Sequence, residues 1–408
     1  MTLFEELKWR GLIKDSTSPD LEQKLNGGGM TFYIGTDPTA ESMHIGHLSS
    51  FLISKRLKDA GHHPILLIGG ATGRIGDPKP TEERSMKSIE EIEKNVKGLT
   101  EQAKKIFGFE VVNNYDWIKD IDVVTFLRDY GKYFNINYML DKDIIRRRLD
   151  TGISFTEFTY MILQALDFLH LYKTKKCTLQ VAGSDQWGNI TAGVDLIRKV
   201  TGEEVYAFTM PLVTDSTGKK FGKSEGNALW LDKEKTSSYE LYQFFINAED
   251  SMIETYLKIY TFLSKEQIED IVRRHKDEPH LRIGQKALAE EIITFLHGHE
   301  EYEKAVKISE ALFSGNIKEL TLQELEVGFK DVPSYNLTNC GGIVDILVES
   351  GIAASKREAR EFVGNGSIRV NDEKVTDVEF EITKNIAIEG KMIVVRKGKK
   401  SYILLKFV

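Results

Sequence analysis

The chain has 408 residues, of which 41% are hydrophobic and 29% charged. That excludes a disordered or collagen-like polymer and, at roughly 150 residues per domain, leaves room for two or three domains. The formal charge of -7, from 55 Lys plus Arg against 62 Asp plus Glu, argues against a uniformly basic nucleic-acid-binding surface and leaves local patches open.

Cys177 and Cys340, the two cysteines, build neither a disulfide framework nor a Cys-rich zinc site, which suits a reducing cytosol. Apolar runs such as Ile65–Ile68 fall far short of the ~20 residues of a membrane-spanning helix, and Met1 to Lys14 carries no targeting pattern. A cytoplasmic protein with no membrane association is expected.

In chain order, residues 31–35 and 64–70 are short apolar runs closed by Gly. Between them Ile45, Leu48 and Leu52 have helical spacing, giving a strand, helix, strand unit. Such a crossover implies parallel strands, with small ligands at the strands' C-terminal ends, near residues 35–47 and 69–80. At the first strand-to-helix turn stands His44-Ile45-Gly46-His47, preceded by Asp37-Pro38-Thr39. Two imidazoles and a small Gly there suit a polyphosphate meeting a helix N-terminus, although paired histidines are also ordinary surface residues.

The stretch Phe155–Tyr172 is apolar nearly all round, so it is expected as a buried helix, yet Tyr160, Gln164 and Asp167 form a polar stripe at i, i+4, i+7. Buried polar groups need partners, and these are either internal or a ligand. The apolar strand Cys177–Val181 then runs into a small-residue turn with Gly183, Asp185 and Gln186. A carboxylate there suits a ribose diol, or else Ser184 or Asp185 caps the next helix. Lys219-Lys220-Phe221-Gly222-Lys223-Ser224, flanked by Gly218 and Gly226, reads as a glycine-hinged basic loop. It is either plainly solvated or able to neutralise charge on a leaving group.

From about Thr236 to Gly315 the pattern is helical, with Ser237/Glu240 and Ser264/Gln267 spaced as capping boxes. Residues 326–340 lose periodicity and read as a linker. The remainder, 341–408, carries twelve Lys/Arg against ten Asp/Glu and is net +2, while residues 1–340 are net -9. Lys356, Arg357 and Arg360 share a short helix that Ser355 is placed to cap, and a final alternating stretch carries Arg396, Lys397, Lys399 and Lys400.

Taken together, these elements resemble the class I aminoacyl-tRNA synthetases, and among them the bacterial-type tyrosyl-tRNA synthetases, essentially end to end. His44–His47 is similar to the HIGH motif, Lys220–Ser224 (KFGKS) to the KMSKS loop, and Tyr-Ile-Gly-Thr-Asp-Pro-Thr and Gly-Ser-Asp-Gln-Trp-Gly-Asn to two further signatures. Segments 345–351, 355–360 and 366–371 resemble an RNA-binding domain shared with a small-subunit ribosomal protein. The resemblance implies an α/β fold: a Rossmann-like parallel-sheet catalytic domain over 1–225, an α-helical anticodon-side domain over 226–325, the linker 326–340, and a small α+β RNA-binding domain over 341–408.

By the same resemblance, the chain would join L-tyrosine to ATP as tyrosyl-adenylate and pass the tyrosyl group to the 3′ end of tRNA(Tyr). Tyr33 and Asp167 would bind the phenol hydroxyl, and Asp77, Tyr160 and Gln164 the amino group. Thr39, His44 and His47 would act on ATP phosphates, Gly35, Asp37, Gly183 and Asp185 would hold adenosine, and Gln186 would sit near the reacting carboxylate. Lys220 and Lys223 would bind pyrophosphate, and Lys356, Arg357, Arg360 and Arg369 would face RNA. Mg²⁺ would come with ATP and have no dedicated protein ligand. A homodimer is implied, with 126–140 a candidate contact. Ile34 and the short segment after Asp77, bearing Lys79 and Arg84, depart from some relatives and leave a further phosphate contact unassigned. Two rivals are a tryptophanyl-type enzyme, which Tyr33 and Asp167 oppose, and an RNA-structuring protein with an inert body, which the intact motifs oppose.

Overall fold

A computed structural model describes residues 1–79, 85–219, 221–224, 227–398 and 401–408, with Lys223, Ser224 and Asn227 described by backbone alone. Arg84, Lys220, Lys399 and Lys400 lie outside the described residues. Residues 1–236 with 248–292 form one compact unit, and residues 237–247 with 293–408 form a second.

In the first unit the expected β-α-β crossover is β2 (Thr31–Thr36), α1 (Ile45–Asp59) and β3 (His63–Ile68), following a two-residue β1 (Asp15–Ser16). β2 and β3 run parallel from Thr31↔His63 to Thr36↔Ile68. The Pro-Ile-Leu-Leu-Ile run of β3 is buried along its whole length, as a parallel strand covered on both faces must be. After α2 (Ile89–Phe107) comes β4 (Glu110–Asn113), then α3 (Asp143–Arg148), α4 (Phe155–Lys175), β5 (Cys177–Gly183), α5 (Trp187–Thr201) and β6 (Tyr206–Met210). The sheet order is β1-β6-β5-β2-β3-β4, with β1 antiparallel on the edge and the other pairs parallel. From β2 the chain builds outward through β3 and β4, then returns to place β5 and β6 on the other side. The switch point therefore lies between the C-terminal ends of β2 and β5, where an open α/β sheet holds its ligand.

The buried helix is α4, started by Ser154, whose side chain accepts from the Glu157 amide, and ended by Lys176 in the left-handed region at φ 56. Its Met161, Leu166, Phe168 and Leu169 pack with Tyr33, Ile65 and Leu67 of the sheet and with Ala192, Leu196 and Ile197 of α5. Each such side chain contributes about 1.5–3 kcal/mol on burial.

The helical stretch after residue 236 is realised as α6 (Ser238–Ile246), α7 (Ile253–Tyr260), α8 (Lys265–Asp277), α9 (Ile283–His297) and α10 (His299–Ser314). Both expected capping boxes, Ser237 with Glu240 and Ser264 with Gln267, are formed. In the second unit α11 (Leu322–Gly328) precedes β9 (Ser334–Leu337), which lies inside the stretch read as linker. α12 (Ile343–Glu349), α13 (Lys356–Gly364), β10 (Ile368–Val370), β11 (Glu373–Val375), β12 (Met392–Lys397) and β13 (Ser401–Phe407) follow. β9 pairs parallel to β13 at the edge of the sheet β11-β10-β12-β13-β9.

The period of two decides how this sheet is covered. Ile393, Val395, Ile403 and Leu405 face the cluster built by α12 and α13, while Met392, Val394 and Leu404 face one built by Ile308, Ala311, Leu325 and Phe329. Residues 293–328 thus share a core with the C-terminal strands. Among the described residues no helix is long and apolar enough to cross a membrane.

Candidate active site

A cavity of about 380 Å³ opens at the switch point, and residues from β2, the start of α1, the middle of α4 and the turn after β5 line it. At one end Tyr33 of β2 is 1% exposed, and its hydroxyl has no hydrogen-bond partner. Gln180, its register partner on β5, is likewise buried with an unpartnered side-chain oxygen. Asp167 of α4, 1% exposed, lines the same end. Its Oδ2 accepts from Asn114 Nδ2 at 2.9 Å and its Oδ1 from Trp117 Nε1 at 3.0 Å. Those donors favour the carboxylate, but burial outweighs them and pushes the pKa up to about 8. Burial, with the Asp167 charge adding to it, also holds the Tyr33 phenol well above its ordinary value.

The middle of the cavity is a carboxylate network. Tyr160 Oη donates to Asp37 Oδ2 at 2.9 Å, and Thr72 Oγ1 donates to Asp37 Oδ1 at 2.9 Å. Gln186 Nε2 donates to Asp77 Oδ2 at 2.7 Å, and Asn189 Nδ2 to Asp77 Oδ1 at 3.1 Å. Burial and the neighbouring Asp37 and Asp77 charges raise the Tyr160 pKa, so its phenol stays a donor. A Cβ at Gly69 would collide with the Asp37 carboxylate and the Thr72 hydroxyl, so the glycine is what lets this network close over the end of β3.

At the far end His44 is the N-cap of α1, with Nδ1 accepting from the Gly46 amide at 3.0 Å, while His47 Nδ1 accepts from the His44 amide at 3.2 Å. In the neutral rings both protons therefore sit on Nε2. The ring centroids are 4.0 Å apart. The Ile45 amide donates to Leu229 O and the His47 amide to His44 O. The first three amides of α1 are thus already engaged, which changes the sequence-based picture: they are not free donors for an anion. The role of Gly46 changes with it, since a Cβ there would stand 2.8 Å from the His44 ring.

The basic loop is anchored beside this end. Phe221 is buried against Tyr256 and Tyr260 of α7, at centroid distances of 4.1 and 5.6 Å. Lys223 and Ser224 form β7, antiparallel to β8 (Asn227–Ala228). The chain then returns to His44, which bridges to Trp230, while the Leu231 amide donates to Met43 O at 2.8 Å.

Tyr33, Gly35, Asp37, Thr39, His44, His47, Asp77, Tyr160, Gln164, Asp167, Gly183, Asp185 and Gln186, all singled out from the sequence, line this one cavity. Asp185 is not a helix cap, because α5 has Gln186 at its N-cap and no side-chain cap bond. Lys220, and the side chain of Lys223, lie outside the described residues. Sequence reasoning missed Thr72, Asn114 and Trp117, and gave Gln180 and Asn189, which lie in the strand-and-turn element it singled out, no role of their own. The available signal was the Asn113-Asn114 pair closing an apolar strand, at the sheet edge where ligands gather. In the second unit Lys356, Arg357 and Arg360 are exposed on α13, which Ser355 caps as expected. Lys356 pairs with Asp345 at 2.7 Å, and Arg369 Nη1 donates to Asp372 O at 2.8 Å. Among the described residues no group of three or more His, Cys, Asp or Glu side chains is placed to hold a metal ion.

Residues 25–314 match the family model described as tRNA synthetases class I (W and Y), and residues 324–405 match that of the tyrosine–tRNA ligase SYY-like C-terminal domain. Tyrosine–tRNA ligase 2 of Bacillus cereus is 52% identical, with 100% of both chains covered, and tyrosine–tRNA ligase of Listeria monocytogenes is 52% identical with the same coverage. Among solved structures, a C-terminally truncated mitochondrial tyrosyl-tRNA synthetase of Aspergillus nidulans is 33% identical with a TM-score of 0.68, covering 76% of this chain and 94% of that one. A match over most of the chain's length, and full-length relatives at this identity, place it: the chain belongs to the class I tRNA synthetases, in the group of the tyrosine–tRNA ligases.

Proposed function

We propose that the cavity activates L-tyrosine with ATP and that the chain then passes the tyrosyl group to the terminal ribose of tRNA(Tyr). Tyr33 carries the reading. Its hydroxyl is buried, unpartnered and beside Asp167 at the closed end of a cavity whose other end presents two imidazole N–H groups. A substrate phenol answers both groups, donating to one and accepting from the other. Asp77, Tyr160 and Gln164 take the ammonium. Asp37, bonded to Tyr160, ties that subsite to the adenosine side, where Gly35, Gly183 and Asp185 hold base and ribose.

A tyrosine carboxylate oxygen attacks the α-phosphorus of ATP, and the bond to the bridging oxygen of pyrophosphate breaks. The carboxylate is already ionised, so no general base is required, and catalysis rests on alignment and on charge placed where it develops. Gln186 aligns the carboxylate. Thr39 and the imidazole N–H groups of His44 and His47 meet the phosphates, and Lys220 and Lys223 neutralise the departing pyrophosphate. Mg²⁺ would enter as part of the ATP substrate and would offset charge on its phosphates, with no dedicated protein ligand. In the second step a ribose hydroxyl of tRNA attacks the tyrosyl carbonyl and AMP leaves. Lys356, Arg357, Arg360 and Arg369 contact the tRNA backbone.

The protein works in the cytoplasm, in keeping with two free cysteines. It works as a homodimer through 126–140, where Leu127, Ile136 and Tyr138 are exposed apolar side chains and Val123 and Val124, just before them in the chain, are exposed too. The test of the activity is ATP–pyrophosphate exchange, expected only when tyrosine is present, followed by charging of tRNA(Tyr). Exchange supported equally by tryptophan, or by no amino acid, would overturn it.

A further inference from the structure

The polar stripe of α4 begins one turn earlier than the site requires. Glu157 precedes Tyr160, Gln164 and Asp167 on the same face, is 1% exposed, and pairs through Oε2 with Arg148 Nη2 at 3.0 Å. Arg148 closes α3 and is itself 3% exposed. Its Nη1 donates to the Lys79 carbonyl at 2.9 Å and its Nε to the Gly152 carbonyl at 3.2 Å. One buried guanidinium thus holds the segment Asp77-Pro78-Lys79, the turn leading into α4, and the first turn of α4.

Burial of an ion pair is weak evidence of a stabilising role, since an apolar pair of like volume commonly serves as well. What a planar fork of donors supplies is direction: here two of its N–H groups fix the Lys79 and Gly152 carbonyls relative to one another, and the third nitrogen stands in ion-pair contact with Glu157. Here those acceptors belong to the two walls that carry Asp77 on one side and Tyr160 and Gln164 on the other. We propose that the Arg148–Glu157 pair is the positioning device of the ammonium subsite, setting the separation of Asp77 from Tyr160 and Gln164 through the Lys79 carbonyl and the first turn of α4. The inference rests on the reading that these three residues take the amino group.

The test compares L-tyrosine with 3-(4-hydroxyphenyl)propionate, which keeps the phenol and carboxylate and lacks the amine, by equilibrium dialysis on the full chain. In the double variant Arg148→Met, Glu157→Leu no buried charge is left unpaired, and a melting curve checks the fold. Its Kd for tyrosine should rise about 10- to 100-fold, the loss of about one charge-assisted hydrogen bond to the ammonium. Its Kd for the amine-free acid and its KM for ATP should stay within about twofold. Arg148→Lys, which keeps the charge and loses the fork, should show the same selectivity at smaller size and serves if the double variant does not fold. Equal weakening of both ligands would mark the pair as merely structural and overturn the proposal, as would no weakening. Asp77→Asn separates the two layers: if it weakens tyrosine selectively and the Arg148 variants do not, the positioning role alone falls. If Asp77→Asn is not selective, the ammonium reading falls and the proposal with it.

Discussion

Trp117 and Asp167 meet at 3.0 Å, indole N–H to carboxylate oxygen, and the Trp117 ring also lies flat on His170 at a centroid distance of 4.3 Å. The stack fixes the indole and the indole fixes the carboxylate, so Asp167 is presented to the cavity in one orientation. On the proposed reading, phenylalanine in this pocket would leave the buried Tyr33 hydroxyl without a partner and Asp167 with only its bonds from Asn114 and Trp117. Discrimination against it by about 10⁵ without editing is a known property of tyrosyl-tRNA synthetases. Asp167→Ala should lower the tyrosine-over-phenylalanine ratio in adenylate formation by about 10²-fold, with the KM for ATP little changed. Unchanged discrimination would place the reading of the hydroxyl elsewhere.

Asp167 also makes stability depend on pH. Burial raises its pKa from 3.8 to about 8, so between those values the folded chain holds a proton that the unfolded chain has released. Unfolding then releases that proton, and the contribution of Asp167 to stability falls as pH rises through this window, levelling off above about 8. The slope from one group is at most about 1.4 kcal/mol per pH unit. Denaturant titrations at several pH values, wild type against Asp167→Asn, should show the variant lacking this downward slope. Parallel profiles would mean that the aspartate is ionised in the fold.

Lys223→Ala or Lys220→Ala should slow adenylate formation by about 10²–10³-fold while tyrosine binding stays nearly unchanged, because charge on pyrophosphate develops only in the transition state. Pre-steady-state measurement of adenylate formation separates the two effects. A change in tyrosine affinity as large as that in rate would remove these lysines from the transition-state machinery.

Replacing Lys356, Arg357 and Arg360 together by Ala should leave tyrosine-dependent exchange intact and weaken tRNA binding, with a shallower dependence of log K on log salt. The fold should survive, since the exposed pair of Lys356 with Asp345 contributes about 0–1 kcal/mol. This substitution tests the domain more cleanly than truncation near residue 335, which would strip Met392, Val394 and Leu404 from the cluster they share with Ile308 and Phe329. Loss of exchange in the triple variant would contradict separate roles.

Spacing and turn chemistry are local, and what they carry was legible in the sequence: the β2-α1-β3 crossover, the buried α4 with its polar stripe, two capping boxes, and the motif residues whose gathering at the strand ends follows from parallel pairing. What tertiary structure decided is which distant group answers each of them. Asn114 lies 53 residues from Asp167, and Lys79 lies 69 from Arg148. The amides at the start of α1 are engaged in part by a carbonyl at Leu229. No period links such pairs, because each is set by which strands neighbour in the sheet and which segment folds back over their ends. The same holds for β12: its Met-Ile-Val-Val run shows that both faces are buried, but only packing assigns the odd residues to α12 and α13 and the even ones to the cluster of Ile308 and Phe329. Alternation along a strand specifies that there are two faces, and the chain's path in space specifies what covers each.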